Sequence, residues 1–399
     1  MIVTERLPAL TSLRFFAAVA IVLHHIVGHA GLPAQIAFAL PQGVSFFFVL
    51  SGFILTYNYP SLRTGLERKQ FLIARFARLW PAYIVGIIAT IAARPDAIVN
   101  LDRLLITRTL ATNLTMIQTW VPLNGFTYSI NGPSWSIATE FGLYFAFLLL
   151  INDFARTWWW KLGASLLIAA FLVAIATAFN MPWFGPDAYV DSAALLYLHP
   201  LGRLFEFVVG MCAGLAYRTW SFRIRGGPIG WTLLELAAVI LVMAVSKASF
   251  LYPGSTPLGW WFGMGAMAIP AAVLTFVMAQ GRGLVSGLLS LSPAVFLGEI
   301  SYSIYLLHSP IAYLFFIKFP GRMPDGYTLA AFAAVTILAS AATWVLIERP
   351  ARTALRYALN AQLFSVTAFR RGVTLFLRRY LSQRVVVAPP RKPPVPVDP

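Results

Sequence analysis

Residues 10–27 read LTSLRFFAAVAIVLHHIV. The run is apolar and long enough for a membrane-spanning helix, yet it carries Arg14 and His25, two side chains that hydrocarbon disfavours. At roughly 100° per residue they return to within about 20° of one helix face, about three turns or 16 Å apart. The pair cannot touch, so it addresses the two ends of one path. An ionisable side chain inside a span is by default functional; the plainer alternative is that Arg14 snorkels to the near interface while His25 sits among headgroups on the far side.

Composition extends this reading to the whole chain. Of 399 residues, 59% are hydrophobic and 11% charged, against about 25% charged in soluble domains. The expected fold is an all-α integral membrane protein with about ten transmembrane helices. The formal charge of +16 would suggest nucleic acid in a soluble chain; here the basic residues lie between apolar runs, where membrane orientation accounts for them. The single cysteine, Cys212, excludes an internal disulfide framework and reads as a small packing residue.

Apolar runs recur at 10–27, 43–57, 71–93, 136–151, 158–178, 193–217, 229–245, 259–278, 300–319 and 327–347. Stretches 101–120 and 285–297 read as interfacial or partly inserted segments. Alternate loops concentrate the positive charge: Arg63 to Arg78, then Arg156 and Lys161, then Arg218, Arg223 and Arg225, then Arg282, and everything from Arg349 onward. The opposite loops hold only Arg94, Arg103, Arg108, Lys247, Lys318 and Arg322. The positive-inside rule therefore predicts that both termini are cytoplasmic, with Arg14 toward the cytoplasm and His25 toward the outside. Residues 1–352 form the membrane domain on this reading, 353–384 a basic segment on the membrane surface and 385–399 a Pro-rich disordered tail. An uncleaved first span fits better than a signal peptide, because Arg14 interrupts its apolar core.

Other polar residues fall within this frame. Glu140 follows the turn-rich NGPSW of residues 131–135, which predicts a depth comparable with His25. His308 is expected about two turns into the ninth span from the cytoplasmic side. Arg203 and Glu206 stand at i and i+3 and are expected to pair, more structurally than catalytically. His25 and His29 have metal-ligand spacing but no acidic third ligand nearby in sequence, so no metal is expected. Phosphate loops and GxSxG elbows are absent from the sequence. What remains is an inner set of guanidinium groups, Arg14, Arg75 and Arg78, suited to a phosphorylated donor. Across the membrane is a histidine that can take a hydroxyl proton, with Glu140 to orient it.

The chain resembles the acyltransferase 3 family of integral membrane acyltransferases from residue 10 to about residue 352. The likeness rests on an ordered series: Arg14, FFAAVAIVLH, His25; Gly43 to Ser51, Gly52 and Phe53; RFARLWPAY with Arg75 and Arg78; WSIATEFGLY with Trp135, Ser136 and Glu140; RLFEFVVG with Arg203 and Glu206; GEISYSIYLLHSP with Ser301, Tyr302 and His308; and ERPAR with Glu348. The resemblance implies transfer of an acyl group, most often acetyl, from acyl-CoA to a hydroxyl of a carbohydrate or other acceptor, in a bacterial-type inner membrane among membrane lipids. On that reading His25 is the base and the inner arginines receive the CoA phosphates; direct transfer and an acyl-histidine intermediate are both compatible. Some relatives bear a fused esterase-like domain; this sequence resembles the stand-alone form. Acyl length is left open, with Phe46, Phe47, Phe48 and Trp135 as bulky residues able to limit it. The competing reading is a transporter or flippase with Arg14, Glu140, Arg203 and Glu206 along a polar pathway.

Overall fold

The first helix, α1 (Pro8–Ile26), starts with a proline in its first turn, where the missing N–H has no partner to lose. In the computed structural model, residues 6–27, 42–96, 103–185, 189–221, 226–251, 254–318 and 326–360 are described. Next come α2 (Gly43–Asn58) and α3 (Gly65–Ala93). The start of α3 is fixed by a capping box, with the Thr64 side chain accepting from the Glu67 N–H and Glu67 accepting from the Thr64 N–H at 2.8 Å. Then follow α4 (Arg103–Leu114), α5 (Trp135–Leu150), α6 (Phe154–Ala178), α7 (Leu204–Trp220), α8 (Pro228–Leu251), α9 (Pro257–Gly265), α10 (Ala268–Ala279), α11 (Leu284–Leu289), α12 (Ser292–Ala312), α13 (Gly326–Thr343) and α14 (Arg349–Asn360).

Among the described residues there is no strand, and eight helical stretches are long and apolar enough to cross a membrane; Gly43–Asn58 is a shorter apolar helix. The all-α membrane architecture is therefore present. Two of the ten runs are broken. The sixth divides into a π-helical turn, Ala193–Leu198, and α7, because Pro200 lacks an N–H and Gly202 lies so close to the Leu196 carbonyl that a Cβ would sit 2.5 Å from it. The eighth divides into α9 and α10. The stretch expected at the interface over 285–297 is split, its first half in α11 and its second half opening α12. The segment 101–120 is represented by α4, and the basic segment by α14 as far as Asn360. The rest of that segment, the Pro-rich tail, His29, Arg223, Arg225 and Arg322 lie outside the described residues.

Glycines set how closely helices approach. A Cβ on Gly52 would lie 2.1 Å from the Phe207 carbonyl oxygen, and one on Gly210 would lie 2.0 Å from that of Val49, so α2 and α7 meet backbone to backbone. A Cβ on Gly298 would lie 2.0 Å from the Thr11 oxygen, which brings α12 against α1. Several of the basic residues that the sequence reading assigns to loops close helix ends, where carbonyls lack intrahelical partners; Lys161 and Arg218 do so from within α6 and α7. Lys161 donates to the carbonyls of Leu150 (2.6 Å) and Asn152 (2.9 Å) after α5, Arg218 to that of Tyr57 (3.1 Å) in α2, and Arg282 to that of Ser221 (3.2 Å) after α7.

Candidate active site: two cavities on either side of one wall

Arg75 and Arg78 are three residues apart and face the same way from α3. Arg14 from α1 and Arg352 from α14 converge on them, because α14 packs along α3. With Arg6, the group lines a cavity of about 480 Å³ whose wall carboxylates, among the described residues, are Glu140 and Glu299. None of Arg14, Arg75, Arg78 and Arg352 forms an ion pair within 4.0 Å among the described residues, and Arg75 Nε is buried without a hydrogen-bond partner. Arg14, Arg75, Arg78 and Arg352 are each half-buried, and like charges gathered around one cavity favour an anion between them. The donor set suits several phosphate oxygens at once, since each guanidinium presents a planar fork of N–H groups. A ligand carrying phosphate groups matches the charge of this donor set.

Glu140 belongs to the same cavity. Its carboxylate accepts from Ser51 Oγ at 2.9 Å and from the Tyr144 hydroxyl at 2.6 Å. The sequence places it level with His25; the structure does not. The turn Gly132–Ser134 that precedes α5 is already buried, and the Asn131 side chain donates to the Leu306 carbonyl at 3.0 Å. Glu140 stands nine residues further along, roughly 13 Å deeper at helical rise. It therefore lines the same cavity as the arginines, and the expected contact with His25 is not formed.

His25 faces the second cavity, of about 430 Å³, together with His24, Gln42 and Ser45. Its walls are largely aromatic, with Trp135 against Tyr197 (ring centroids 4.6 Å) and Trp183 against Trp260 (5.2 Å). Behind His25 is His308, with Nδ1 of His25 2.8 Å from Nε2 of His308 and the ring planes 11° apart. The centroid separation of 5.1 Å is close to the N···N distance plus the two ring radii. The nitrogens therefore point at each other edge to edge, as a hydrogen bond requires.

This also corrects the expected depth of His308. Its helix begins at Ser292, with Pro293 in the first turn, well before the apolar run that the charge of Glu299 masks in the sequence. His308 is therefore more than four turns along the helix, at the His25 end of the molecule.

The remaining candidates support these two cavities. Arg203 and Glu206 form the expected ion pair at 3.0 Å, both buried. The Arg203 guanidinium lies between the rings of Phe48 and Tyr197 and donates to Ser45 Oγ at 2.8 Å, bracing the wall of the second cavity from behind. Ser136 lines the first cavity and donates to the Tyr305 hydroxyl at 2.8 Å. Tyr302, also in that wall, donates to the Leu79 carbonyl at 2.9 Å and ties α12 to α3. Ser301 turns back to the Gly298 carbonyl at 2.7 Å. Glu348 accepts from Ser303 at 3.2 Å.

Sequence reasoning did not single out Arg352, Tyr144 and Tyr305, nor the pairing of His25 with His308. A signal for Arg352 exists in the spacing of Arg349, Arg352 and Arg356 along one amphipathic helix. Tyr305 has none, because one aromatic among many carries no mark of its neighbours.

The family profile described as an acyltransferase domain matches residues 7–348. Acyltransferase MdmB of Streptomyces mycarofaciens is 30% identical over 334 residues, covering 76% of this chain and 78% of the relative. Nodulation protein 10 of Rhizobium leguminosarum bv. viciae is 26% identical over 383 residues, 89% of this chain and 95% of the relative. The peptidoglycan O-acetyltransferase OatA of Listeria monocytogenes is 25% identical over 374 residues, 86% of this chain and 56% of the relative. The chain thus spans little more than half the length of OatA. No solved structure matches it.

Proposed function

Since the chain belongs to this family of acyltransferases, we propose that it transfers an acyl group, acetyl in the first place, from a coenzyme A thioester held by the arginine cavity to a hydroxyl of a carbohydrate-like acceptor in the aromatic cavity. The observation that carries this reading is that the two cavities share wall residues, one being walled by arginines and the other by His25, which is hydrogen-bonded from behind to His308. Relatives named as a peptidoglycan O-acetyltransferase and as exopolysaccharide production protein ExoZ support a glycan acceptor. The distribution of basic loops supports a plasma-membrane protein with the arginine cavity facing the cytoplasm.

When bound, the thioester supplies the activated acyl group. Arg14, Arg75, Arg78 and Arg352 hold its phosphates by charge-assisted hydrogen bonds. Glu140, fixed by Ser51 and Tyr144, places a negative charge in the same cavity and so favours keeping Arg14 there. His25 takes the acceptor hydroxyl proton on Nε2 as the hydroxyl oxygen forms its bond to the acyl carbon. For Nε2 to be the basic nitrogen, Nδ1 carries the ring proton and donates it to His308 Nε2, so His308 fixes the tautomer and orientation of the base. The proton on His25 Nε2 then passes to the departing sulfur, leaving ester and thiol with no net proton gained. Trp135, Tyr197, Trp183 and Trp260 offer flat apolar faces to the acceptor, while Gln42 and Ser45 offer it hydrogen bonds.

The test compares O-acylation of surface glycans in cells carrying wild-type protein or His25→Ala, both quantified in the membrane. Glycan O-acyl groups should vanish with the variant; equal acylation removes His25 from the reaction. In detergent, release of free thiol from acetyl-CoA separates an enzyme from a transporter, which makes no bond.

A further inference from the structure

Two residues belong to the walls of both cavities, Val44 and Tyr305. We infer that these side chains frame the aperture between the donor site and His25, and that the side chain at position 44 sets the size of acyl group that passes. The inference rests on the acyl-transfer reading above.

Tyr305 is the fixed side of the aperture. It is buried, its hydroxyl donates to the Pro133 carbonyl at 3.0 Å and accepts from Ser136 Oγ at 2.8 Å, and Phe47 packs edge-on against its ring. Moving the ring would break both hydrogen bonds in a buried place.

Val44 is the variable side. It sits in the first turn of α2, and the same helix presents Phe47, Phe48 and Ser51 to the arginine cavity and Ser45 to the aromatic one. Its backbone cannot retreat. A Cβ at the neighbouring Gly43 would already lie 2.7 Å from the Ala17 oxygen and 2.9 Å from the Ile21 side chain, so α2 is seated directly on α1. With the backbone held on one side and Tyr305 on the other, the width depends on the side chain at 44, a β-branched group with little rotamer freedom. Of the bulky residues open to this role from sequence, Phe46 lines neither cavity, Phe47 and Phe48 line the donor side alone and Trp135 the acceptor side alone.

The test needs no acceptor. Purified protein in detergent is treated with bromoacetyl-CoA or α-bromobutyryl-CoA, and labelled residues are mapped by mass spectrometry. His25 Nε2 attacks the α-carbon, the N–C bond forms as the C–Br bond breaks, bromide leaves, and the alkylated ring releases its Nδ1 proton to buffer. The readout is the ratio of His25 labelling rates for the two reagents, in which their intrinsic reactivities cancel between variants.

Val44→Ala should move that ratio toward the larger reagent by roughly tenfold or more, the discrimination expected for a methylene or two in an apolar passage. Val44→Ile should move it the other way; CoA binding by each variant is measured alongside, so that labelling is compared at equal occupancy. A variant that binds CoA and leaves the ratio unchanged, or moves it in the opposite sense, overturns the aperture. Absence of His25 labelling in wild type that binds CoA overturns the functional reading itself, so the two failures are distinct.

Discussion

Nδ1 of His25 and Nε2 of His308 lie 2.8 Å apart, joining α1 to α12 at the end of the molecule remote from the arginines. A base that donates from one ring nitrogen keeps the other free for the substrate proton. His308→Ala should lower kcat by roughly 100-fold, toward the low end of what general-base catalysis contributes, with the KM for the acyl donor unchanged. His308→Gln, whose side-chain oxygen can accept from His25 Nδ1, should recover part of the loss. Steady-state kinetics on both variants check this; a rise in donor KM with kcat intact would place His308 in the donor site instead.

The arginine cavity predicts the opposite division. Arg75→Ala, Arg78→Ala and Arg352→Ala should each raise donor KM by about 10- to 100-fold, the range for losing a hydrogen bond between charged groups at about 1.5–3 kcal/mol, with kcat little changed. Arg108→Ala, exposed on α4 and outside both cavities, is the control. CoA binding by calorimetry at two ionic strengths checks the assignment, since added salt should weaken binding less in the variants than in wild type.

The elements of this site differ in how openly the sequence announces them. Arg14 and His25 are legible because each is an ionisable residue in an apolar helix, and spacing alone places them on one face. Helical boundaries set by hydropathy are less secure. Glu299 masks the first two turns of α12, so the sequence reading puts His308 about two turns into its helix where the structure puts it more than four turns along. Likewise, a buried turn such as Gly132–Ser134 looks like a surface loop in one dimension, which misplaces Glu140. Pairings between helices, such as His25 with His308 or Ser136 with Tyr305, depend on rotation about each helix axis, and no local signal fixes that.

Glu235 on α8 supports the fold without touching either cavity. Fully buried, it accepts the N–H groups of Gly283 (3.1 Å), Val285 (2.9 Å) and Ser286 (3.2 Å), acting as a cap supplied from another helix to the first turn of α11. Glu235→Ala leaves these donors without that acceptor, at about 1–3 kcal/mol for each that stays buried and unpaired. The melting temperature in detergent should fall by several degrees. CoA affinity measured below the transition should be unaltered, because the carboxylate is outside the arginine cavity.

Gly298 links packing to chemistry. It is where α12 touches the backbone of α1 at Thr11, and ten residues further along the same helix His308 meets His25. A methyl group there would lie 2.0 Å from the Thr11 carbonyl oxygen and 2.4 Å from its carbon, so Gly298→Ala must push the helices apart or slide one along the other. Overpacking of this kind costs about 1–3 kcal/mol in stability, but the effect on rate should be larger in proportion. Hydrogen bonds weaken steeply once distance and angle leave their narrow range, and the histidine pair has no slack at 2.8 Å. Gly287→Ala separates this from a general effect of adding a methyl group, since nothing lies within 4 Å of a Cβ there and alanine should be neutral or stabilising by about 0.5–1 kcal/mol in that short helix. Melting temperature and kcat are to be measured on both. If Gly298→Ala melts early yet turns over at the wild-type rate, the α1–α12 contact does not set the geometry of the base.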